Sequence, residues 1–466
     1  MLALLAACSG GADSAAPPPP PPPPPPTPQV VGAWSALRAA PIVQLHVHLL
    51  LNGKVLTWGH YGDPQVWDPV TRTFTAVPAP SLIFCAGHDF LPDGRLLVAG
   101  GHISDVHGLP TTNIFDPATG SWQAVAPMAA GRWYPTNTTL PNGEVVTMAG
   151  TNEAGVNVPI PEVWNGSSWR QLTTASLDLP FYPRNFVAPD GRIFYAGEAQ
   201  PSRFLDVSGT GQWTNGPYRT YGPRDYGSAV MYAPGKILYV GGGDPPTNTA
   251  EIIDLNLPNP QWKYAGSMIY PRRQMDATLL PTGDVLVTGG TSGSGFSDAN
   301  GGVRAAELWH PETGTWRRMA SAAVTRVYHG SALLLPDARI LFTGSGDASG
   351  IKDEKNYEVF SPPYLFNGPR PTITGPVPDH VTYGQTLKIG SPEGADIAKV
   401  TFIRFSSVTH AFDQSARLVP LAFTPGHASV TVTFPANGAV APPGPYMLFF
   451  VNSAGVPSEA RIMLLQ

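Results

Sequence analysis

The segment Pro92-Asp93-Gly94-Arg95-Leu96-Leu97-Val98-Ala99-Gly100-Gly101 decides the fold, because its pattern of a tight turn followed by an apolar run recurs along the chain. Such a turn leading into aliphatic residues is typical of a hairpin that enters a buried strand. Successive copies lie 41 to 55 residues apart, which is the range for one four-stranded blade of a kelch-type propeller. The repeat therefore predicts seven blades, whose turn residues are Gly53, Gly94, Gly143, Gly191, Gly235, Gly283 and Ala338.

Six of the seven repeats also carry a late aromatic residue, which we expect to pack between blades because a large ring buries much area there. An extra copy of this feature, Trp34, precedes the first turn. It predicts an N-terminal strand that completes the last blade and so leaves no loose sheet edge. The late aromatics are Phe74, Trp122, Trp169, Trp213, Trp262 and Trp316.

Composition favours an all-β protein, since only 13% of the 466 residues are charged while 50 are Gly and 53 are Pro. The repeat stops near Arg370, and alternating segments such as 399–405 and 429–434 then predict a β-sandwich. We therefore expect a propeller over 30–369 and an immunoglobulin-like sandwich over 370–466. The net charge of −5 and the lack of a Lys/Arg block argue against nucleic acid as a partner.

The N-terminus predicts export. Residues 1–8 end in Leu5-Ala6-Ala7-Cys8 and are typical of a lipoprotein-type signal remnant, although an accidental match is the alternative. Residues 9–29 form a Pro-rich linker whose unbroken run 17–26 suits a stiff spacer. We expect an extracytoplasmic protein, secreted or attached to a membrane only through a lipid at Cys8, because no apolar run reaches the roughly 18 residues of a spanning helix.

Counting back nine residues from each turn gives one equivalent position per blade, beside the propeller axis. None of these residues is aliphatic, and polar groups there need partners, so the ring predicts a functional site. Within it, the pair Tyr328-His329 suits copper or zinc, with a hydrogen-bonded channel pair as the alternative. Cys85 is either part of the site or a small buried apolar group. The ring consists of Gln44, Cys85, Tyr134, Tyr182, Tyr226, Gln274 and His329.

From Trp34 to Gln466 the chain resembles the copper radical oxidases, represented by galactose oxidase and glyoxal oxidase. Arg132-Trp133-Tyr134-Pro135-Thr136 is closer to the glyoxal oxidase branch, and the loop 150–153 has no counterpart of the indole that stacks in galactose oxidase. The segments that carry the resemblance are Phe84-Cys85-Ala86-Gly87, 131–136, Arg326-Val327-Tyr328-His329, Thr409-His410, 444–449 and 452–458.

The resemblance implies a seven-bladed kelch-type β-propeller followed by an early-set sandwich that sends His410 into the axial site. It implies one copper ion held by Tyr134, Tyr328, His329 and His410. It also implies a thioether between Cys85 and Tyr134 that stores a radical, with Tyr328 as general base. The implied reaction oxidises a small aldehyde, as its hydrate, or a primary alcohol with O2 and releases H2O2. We expect a monomer.

Three residues are candidates for contact with substrate. Arg184 is expected either to orient substrate oxygens or to satisfy blade carbonyls, and Phe296 either to form a pocket wall or to anchor its loop. Trp133 adjoins Tyr134 and is the third candidate. His46 and His48 form a His-x-His pair that is either a metal pair or an ordinary inner strand of the first blade. The rival function is an inactive kelch-type surface protein that binds a glycan or a protein, although the joint presence of all five site residues argues against it.

Overall fold

The computed structural model describes residues 26–466, so the predicted signal remnant and most of the Pro-rich linker lie outside the described residues. Within this range, antiparallel sheets that follow one another along the chain form seven blades. Blade 1 consists of His46–Leu49, Val55–Trp58, Gln65–Trp67 and Phe74–Ala76, blade 2 of Gly87–Phe90, Leu96–Ala99, Thr112–Asp116 and Ser121–Val125, and blade 3 of Thr136–Thr139, Val145–Met148, Glu162–Trp164 and Trp169–Gln171. Blade 4 consists of Asn185–Val187, Ile193–Tyr195, Pro201–Asp206 and Gln212–Tyr218, and blade 5 of Ser228–Ala233, Lys236–Val240, Thr249–Asp254 and Lys263–Ser267. Blade 6 consists of Arg273–Leu279, Val285–Thr291, Ala305–His310 and Thr315–Ser321, and blade 7 of Gly330–Leu334, Ile340–Gly344 and Asn356–Ser361.

Strands from the start of the chain complete blade 7. Ala33–Trp34 pairs with the outermost strand of that blade through Ala33 opposite Ser361 and Trp34 opposite Phe360, and Arg38–Ala39 extends the pairing. The predicted closure of the ring is confirmed, and it covers an edge that would otherwise be open to another strand. Short elements complete this domain: the helix Pro28–Val31, the hairpin His102–Ser104 with His107–Gly108, and the 3-10 turns Ala299–Gly301 and Pro363–Phe366.

The late aromatics pack between blades, as the sequence predicts. Five indoles donate from their N–H to a carbonyl in or shortly after the outer strand of the preceding blade, so each blade is bonded to its neighbour. Phe74 packs against Tyr357 of blade 7, and Trp262 against Phe194 of blade 4. The donating residues are Trp34, Trp122, Trp169, Trp213 and Trp316.

A buried Arg–Glu pair recurs in three blades and was not foreseen from the sequence. In blade 6, Arg272 donates to Glu307 at 2.6 Å and to the carbonyl of Gly289, and both side chains are fully buried. Arg132 with Glu162 and Arg224 with Glu251 repeat the arrangement. Removing one partner of such a pair leaves an uncompensated charge and costs about 3–5 kcal/mol. The pairs therefore fix the segments just before the ring residues.

The C-terminal domain is a sandwich of two sheets. One sheet has His380–Val381, Arg461–Leu465, Gly444–Asn452, Ile397–Arg404 and Leu418–Pro420, the other has Thr386–Gly390, Ser429–Thr433 and Ala422–Pro425, and Gly394–Asp396 forms a 3-10 turn. Phe402 stacks on Tyr446 in its core with ring centroids 4.3 Å apart. The all-β architecture of propeller and immunoglobulin-like sandwich is thus the one that the sequence predicts.

A hairpin of this second domain enters the propeller. Its strands Ser407–Thr409 and Phe412–Asp413 extend the sheet of blade 1, because Val408 pairs with Val47 and Ser407 with His48. The buried Arg404 secures the approach by donating to the carbonyl of Phe90 at 3.1 Å. Strand pairing therefore fixes how far the hairpin tip reaches along the propeller axis. Among residues 26–466, no helix has the length and apolar character to cross a bilayer.

Candidate active site

The ring predicted by counting has a shared backbone conformation. Six of its seven residues have φ between 46° and 67°, which is the left-handed region that non-glycine residues seldom adopt. The amide of Tyr134 donates to the carbonyl of Cys85 and that of Tyr182 to Tyr134, each at 2.9 Å, so neighbouring blades are bonded at this level. Residues held this way cost roughly 1–3 kcal/mol each and cluster at functional sites. The six are Cys85, Tyr134, Tyr182, Tyr226, Gln274 and His329.

The four predicted metal ligands come together. The Nε2 atom of His410 lies 2.9 Å from the phenol oxygen of Tyr134, which in turn hydrogen-bonds the phenol oxygen of Tyr328. The rings of His329 and His410 lie 4.7 Å apart and nearly perpendicular. All four side chains are at least 94% buried. Blade 3, blade 7 and the inserted hairpin therefore bring two imidazoles and two phenols to one point.

The orientation of the two imidazoles fits a metal ion. His329 donates from Nδ1 to the carbonyl of Gly346 at 2.6 Å, so its Nε2 carries the lone pair, and this buried atom has no hydrogen-bond partner among the described residues. Thr409 hydrogen-bonds Nδ1 of His410 at 2.6 Å and leaves its Nε2 facing the phenols. Burial lowers the pKa of His329 to about 3 and also lowers the pKa of His410. Neutral imidazoles with phenol oxygens are a donor set that suits copper.

Cys85 and Tyr134 belong to one buried cluster beside these ligands. The thiol is fully buried, and burial raises its pKa well above the ordinary value. A thiol in such surroundings is an inert group in the absence of an oxidant. Cys85 therefore needs a specific reaction, rather than simple exposure, to become part of a cofactor.

The indole of Trp133 stacks on the ring of Tyr134, with centroids 3.6 Å apart and planes within 10°. Its N–H donates to Nδ1 of His102 at 3.1 Å. Trp133 was expected to contact substrate, and it is 8% exposed. An indole thus covers Tyr134 even though the loop 150–153 supplies none, and it comes from the preceding residue of the same segment.

Arg184 lies in a different environment from the one expected of a substrate contact. Its guanidinium donates to the carbonyl of Tyr182 at 2.7 Å and twice to the carbonyl of Gly227, and the residue is 1% exposed. These bonds correspond to the structural alternative, in which the arginine satisfies blade carbonyls. The bonds to carbonyls support the structural alternative for Arg184 over a role in orienting substrate.

Phe296 lies at the open side of the site. The residue is 54% exposed, and its ring centroid is 4.6 Å from Tyr328 and 5.6 Å from Tyr226. Its carbonyl accepts from the side chain of Gln274 at 2.6 Å, which ties the loop to the ring. Both alternatives for Phe296 thus have support, since the loop is anchored and the aromatic ring stands beside the expected base.

His46 has no nitrogen free to form a metal pair with His48. His46 accepts from the amide of Cys85 at Nε2 and meets Nε2 of His88 at 3.0 Å through Nδ1, while His88 bonds Ser407. Both ring nitrogens of His46 and of His88 are therefore used. Within residues 26–466 no group of three or more His, Cys, Asp or Glu residues is arranged to hold a metal. The interpretation as an inner strand of blade 1 agrees with their positions in His46–Leu49.

Several residues of the site were missed or left as lining by sequence reasoning. Tyr182 stacks on His410 with centroids 4.6 Å apart. Thr409 and the carbonyl of Gly346 orient the two imidazoles, as partners of ligating histidines usually do. Thr409 could have been found because it adjoins His410, whereas nothing local in the sequence marks Gly346.

Comparisons with known proteins agree with this geometry. Residues 243–364 match the family described as Glyoxal oxidase N-terminus, and residues 370–464 match the Galactose oxidase-like, Early set domain. The chain is 30% identical to a galactose oxidase of Gibberella zeae, covering 92% of this chain and 70% of that protein. It is also 30% identical to the aldehyde oxidase GLOX of Vitis pseudoreticulata, covering 88% and 86%.

A solved structure described as a fungal alcohol oxidase of the AA5 family, in complex with copper, superimposes with a TM-score of 0.86 at 26% identity. It covers 94% of this chain and 100% of that chain. These relatives are oxidases, so the rival interpretation as an inactive surface-binding propeller is not supported. The chain is an enzyme that belongs to the copper radical oxidases, the family of galactose oxidase and the glyoxal and aldehyde oxidases.

Proposed function

We propose that this enzyme oxidises a small primary alcohol, or an aldehyde as its hydrate, with O2 and releases H2O2. The observation that carries the proposal is the convergence of His329, His410, Tyr134 and Tyr328, with a buried and unpartnered Nε2 on His329. These four residues would hold one copper ion. Bound there, copper would supply one redox equivalent and polarise the substrate oxygen.

Tyr328 is the proposed general base. Burial raises the pKa of its phenol well above the ordinary value, so the residue stays protonated and can accept no proton until a cation nearby favours the phenolate. Its oxygen already shares a hydrogen bond with Tyr134. A substrate hydroxyl placed beside these two oxygens would give its proton to Oη of Tyr328. The substrate alkoxide is then held out of bulk water, because Tyr328 is only 6% exposed.

Tyr134 is the proposed acceptor of the second hydrogen. With the sulfur of Cys85 bonded to its ring, after loss of one hydrogen from each residue, the phenol is easier to oxidise and holds one redox equivalent as a radical. The substrate C–H hydrogen moves to Oη of Tyr134, which restores the phenol. Together with the proton on Tyr328, this accounts for both hydrogens that leave the substrate and reach O2.

The lining of the site favours small and neutral substrates. The carbonyls of blade 4 and blade 5 occupy the guanidinium of Arg184, so that cation is not available to an acid group of the substrate. Aromatic rings of Phe296 and Tyr226 flank Tyr328 on the exposed side. Oε1 of Gln274 is buried and has no partner among the described residues, which provides an acceptor for a second hydroxyl. A short alcohol, diol or aldehyde hydrate matches this lining.

The test is release of peroxide by the copper-loaded protein. Purified protein is loaded with one equivalent of copper in air and supplied with a panel of short primary alcohols, aldehydes and galactose, and H2O2 is measured. We expect release with at least one small alcohol or aldehyde and none from the His329→Ala variant. Loaded protein that binds one copper but releases no peroxide with any member of the panel would contradict the proposal.

We further propose that the enzyme works outside the cytoplasm as a monomer, secreted or anchored through a lipid on Cys8. The cleavage-box pattern of residues 5–8 and the proline run after it support the anchor. Mass spectrometry of the N-terminal peptide from a detergent extract tests it. A diacylglyceryl mass on Cys8 that is lost in Cys8→Ser is expected, and an unmodified thiol would contradict the anchor.

A further inference from the structure

A chain of aromatic and imidazole rings leads away from Tyr134, beginning at the ring that stacks on its face. Its first member is Trp133, which stacks on Tyr134 at 3.6 Å and donates its N–H to Nδ1 of His102. His102 is 6% exposed, and burial lowers its pKa, so the imidazole is neutral near pH 7. The acceptor nitrogen is therefore free to take the indole proton.

The chain continues to the surface. The ring of His102 lies 4.8 Å from that of His60, and His60 stacks on Tyr61 with centroids 4.1 Å apart. Phe84 stacks on the other side of His60 at 4.3 Å and also contacts His102. Tyr61 is 64% exposed. Rings in van der Waals contact thus connect the buried Tyr134 with solvent.

We propose that this chain is an electron route through which a one-electron oxidant in solution, acting at Tyr61, generates the radical on Tyr134. The inference rests on the proposed function, because it needs a redox-active Tyr134. It adds to that function the residue, Tyr61, at which an oxidant in solution acts. Buried behind Trp133 and the blade walls, Tyr134 itself is 2% exposed and cannot meet a bulky oxidant directly.

The steps balance in electrons and protons. The oxidant takes one electron from Tyr61, whose phenol proton goes to water. An electron then moves from Tyr134, as phenolate, through Trp133, His102 and His60 to Tyr61, which takes a proton back from water. While Trp133 carries the charge, its indole proton shifts to Nδ1 of His102 and returns. The net change is one electron lost by Tyr134 and one gained by the oxidant.

The chain offers matched control residues for this route. Tyr218 is also 64% exposed and makes no aromatic ring contact among the described residues, so it presents the same phenol to solvent without a path inward. Tyr61→Trp would keep an oxidisable ring on His60, whereas Tyr61→Phe would not. His102→Leu removes the acceptor of the indole proton.

The experiment uses hexachloroiridate(IV), an outer-sphere one-electron oxidant, mixed by stopped flow with the protein loaded with copper(II), in which Tyr134 is not yet oxidised. The appearance of the phenoxyl absorption is followed, and copper content and the Cys85–Tyr134 linkage are first measured in every variant. We expect Tyr61→Phe to slow radical formation about tenfold or more. We expect Tyr61→Trp to restore it, Tyr218→Phe to leave it unchanged and His102→Leu to slow it.

A second measurement does not depend on turnover or on the absorption. Oxidation in the presence of a nitroso spin trap, followed by peptide mass spectrometry, should place adducts on Tyr61 more often in Tyr134→Phe than in the parent protein, since the inner donor is then missing. Radical formation in Tyr61→Phe at the parent rate, or failure of Tyr61→Trp to restore it, would overturn the route. Absence of linkage and radical in the parent protein would instead refute the proposed function itself.

Discussion

Two groups of buried histidines lie side by side in this molecule and differ in where their lone pairs point. His46 and His410 have ring centroids 5.7 Å apart, and burial lowers the pKa of both. In the first group, His46 and His88 direct their nitrogens at each other, at an amide and at a hydroxyl. In the second group, His329 and His410 form hydrogen bonds through Nδ1. Nε2 of His410 lies against the phenol of Tyr134, and Nε2 of His329 has no hydrogen-bond partner among the described residues.

The difference shows that a cluster of histidines is a metal site only if its free lone pairs converge. A neutral imidazole has one lone pair, and a hydrogen-bond donor can use it as well as a metal can. Spacing along a strand, such as His46-x-His48, does not reveal which of these occurs. The hydrogen bond made by one ring nitrogen reveals it, because that bond determines whether the other nitrogen keeps a lone pair free for a metal.

The largest effect should come from removing His410, one of the four proposed copper ligands. We expect His410→Ala to lower bound copper from one per chain to near zero and to abolish peroxide release, because one of four donors is lost. His46→Ala should keep one copper per chain. Metal analysis of both purified variants after dialysis makes the comparison. Loss of copper in both would show that the two groups are a single metal site.

Cys85→Ser separates metal binding from radical chemistry. The serine cannot form the thioether, so we expect one copper per chain and turnover reduced about 100-fold or more, equivalent to about 2.7 kcal/mol in the barrier. Peroxide release at saturating substrate is measured against the parent protein. Parent-like turnover in this variant would contradict the role of Cys85.

His46→Ala should act on stability instead. It removes the acceptor for the amide of Cys85 and the donor to His88, and it ends the stacking on Trp58 at 4.8 Å. We expect a loss of about 3 kcal/mol in the free energy of unfolding of the metal-free protein. Urea titration measures it, with the exposed His380→Ala as control, which should stay within about 0.5 kcal/mol of the parent.

His48, which lies on the same strand as His46, should make the free energy of unfolding depend on pH. His48 is fully buried, and burial lowers its pKa from 6.5 to about 3, so between these values the unfolded chain binds the additional proton. The free energy of unfolding therefore falls as the pH falls, by about 2 kcal/mol from pH 7 to pH 5 for this residue. Urea titrations of metal-free parent and His48→Gln at both pH values check it. An equal loss in both proteins would contradict the assignment.

Much of the fold could be predicted because it repeats. Seven turns with similar spacing give seven blades, and counting from them finds the ring that holds Cys85, Tyr134 and His329. His410 could not be found this way, since it lies 276 positions after Tyr134 and reaches the axis on a hairpin that pairs with blade 1. Only the resemblance to a family pointed to it.

Side-chain partners were the part that sequence reasoning could not supply. Arg184 stands at a position suited to substrate, but the carbonyl of Gly227 in the next blade occupies its guanidinium. Trp133 covers Tyr134 because the left-handed backbone of Tyr134 turns consecutive rings into a stack. The bond from Arg184 depends on the neighbouring blade, and no local pattern in the sequence encodes it.

Peptide mass spectrometry of the protein before and after incubation with copper in air tests the central claim most directly. The account predicts that the metal-free protein gives separate peptides for Cys85 and Tyr134. It predicts that copper and O2 convert them to one linked pair lighter by two hydrogens, and that His329→Ala does not form it. A protein that binds one copper per chain yet keeps the free thiol of Cys85 would contradict the account.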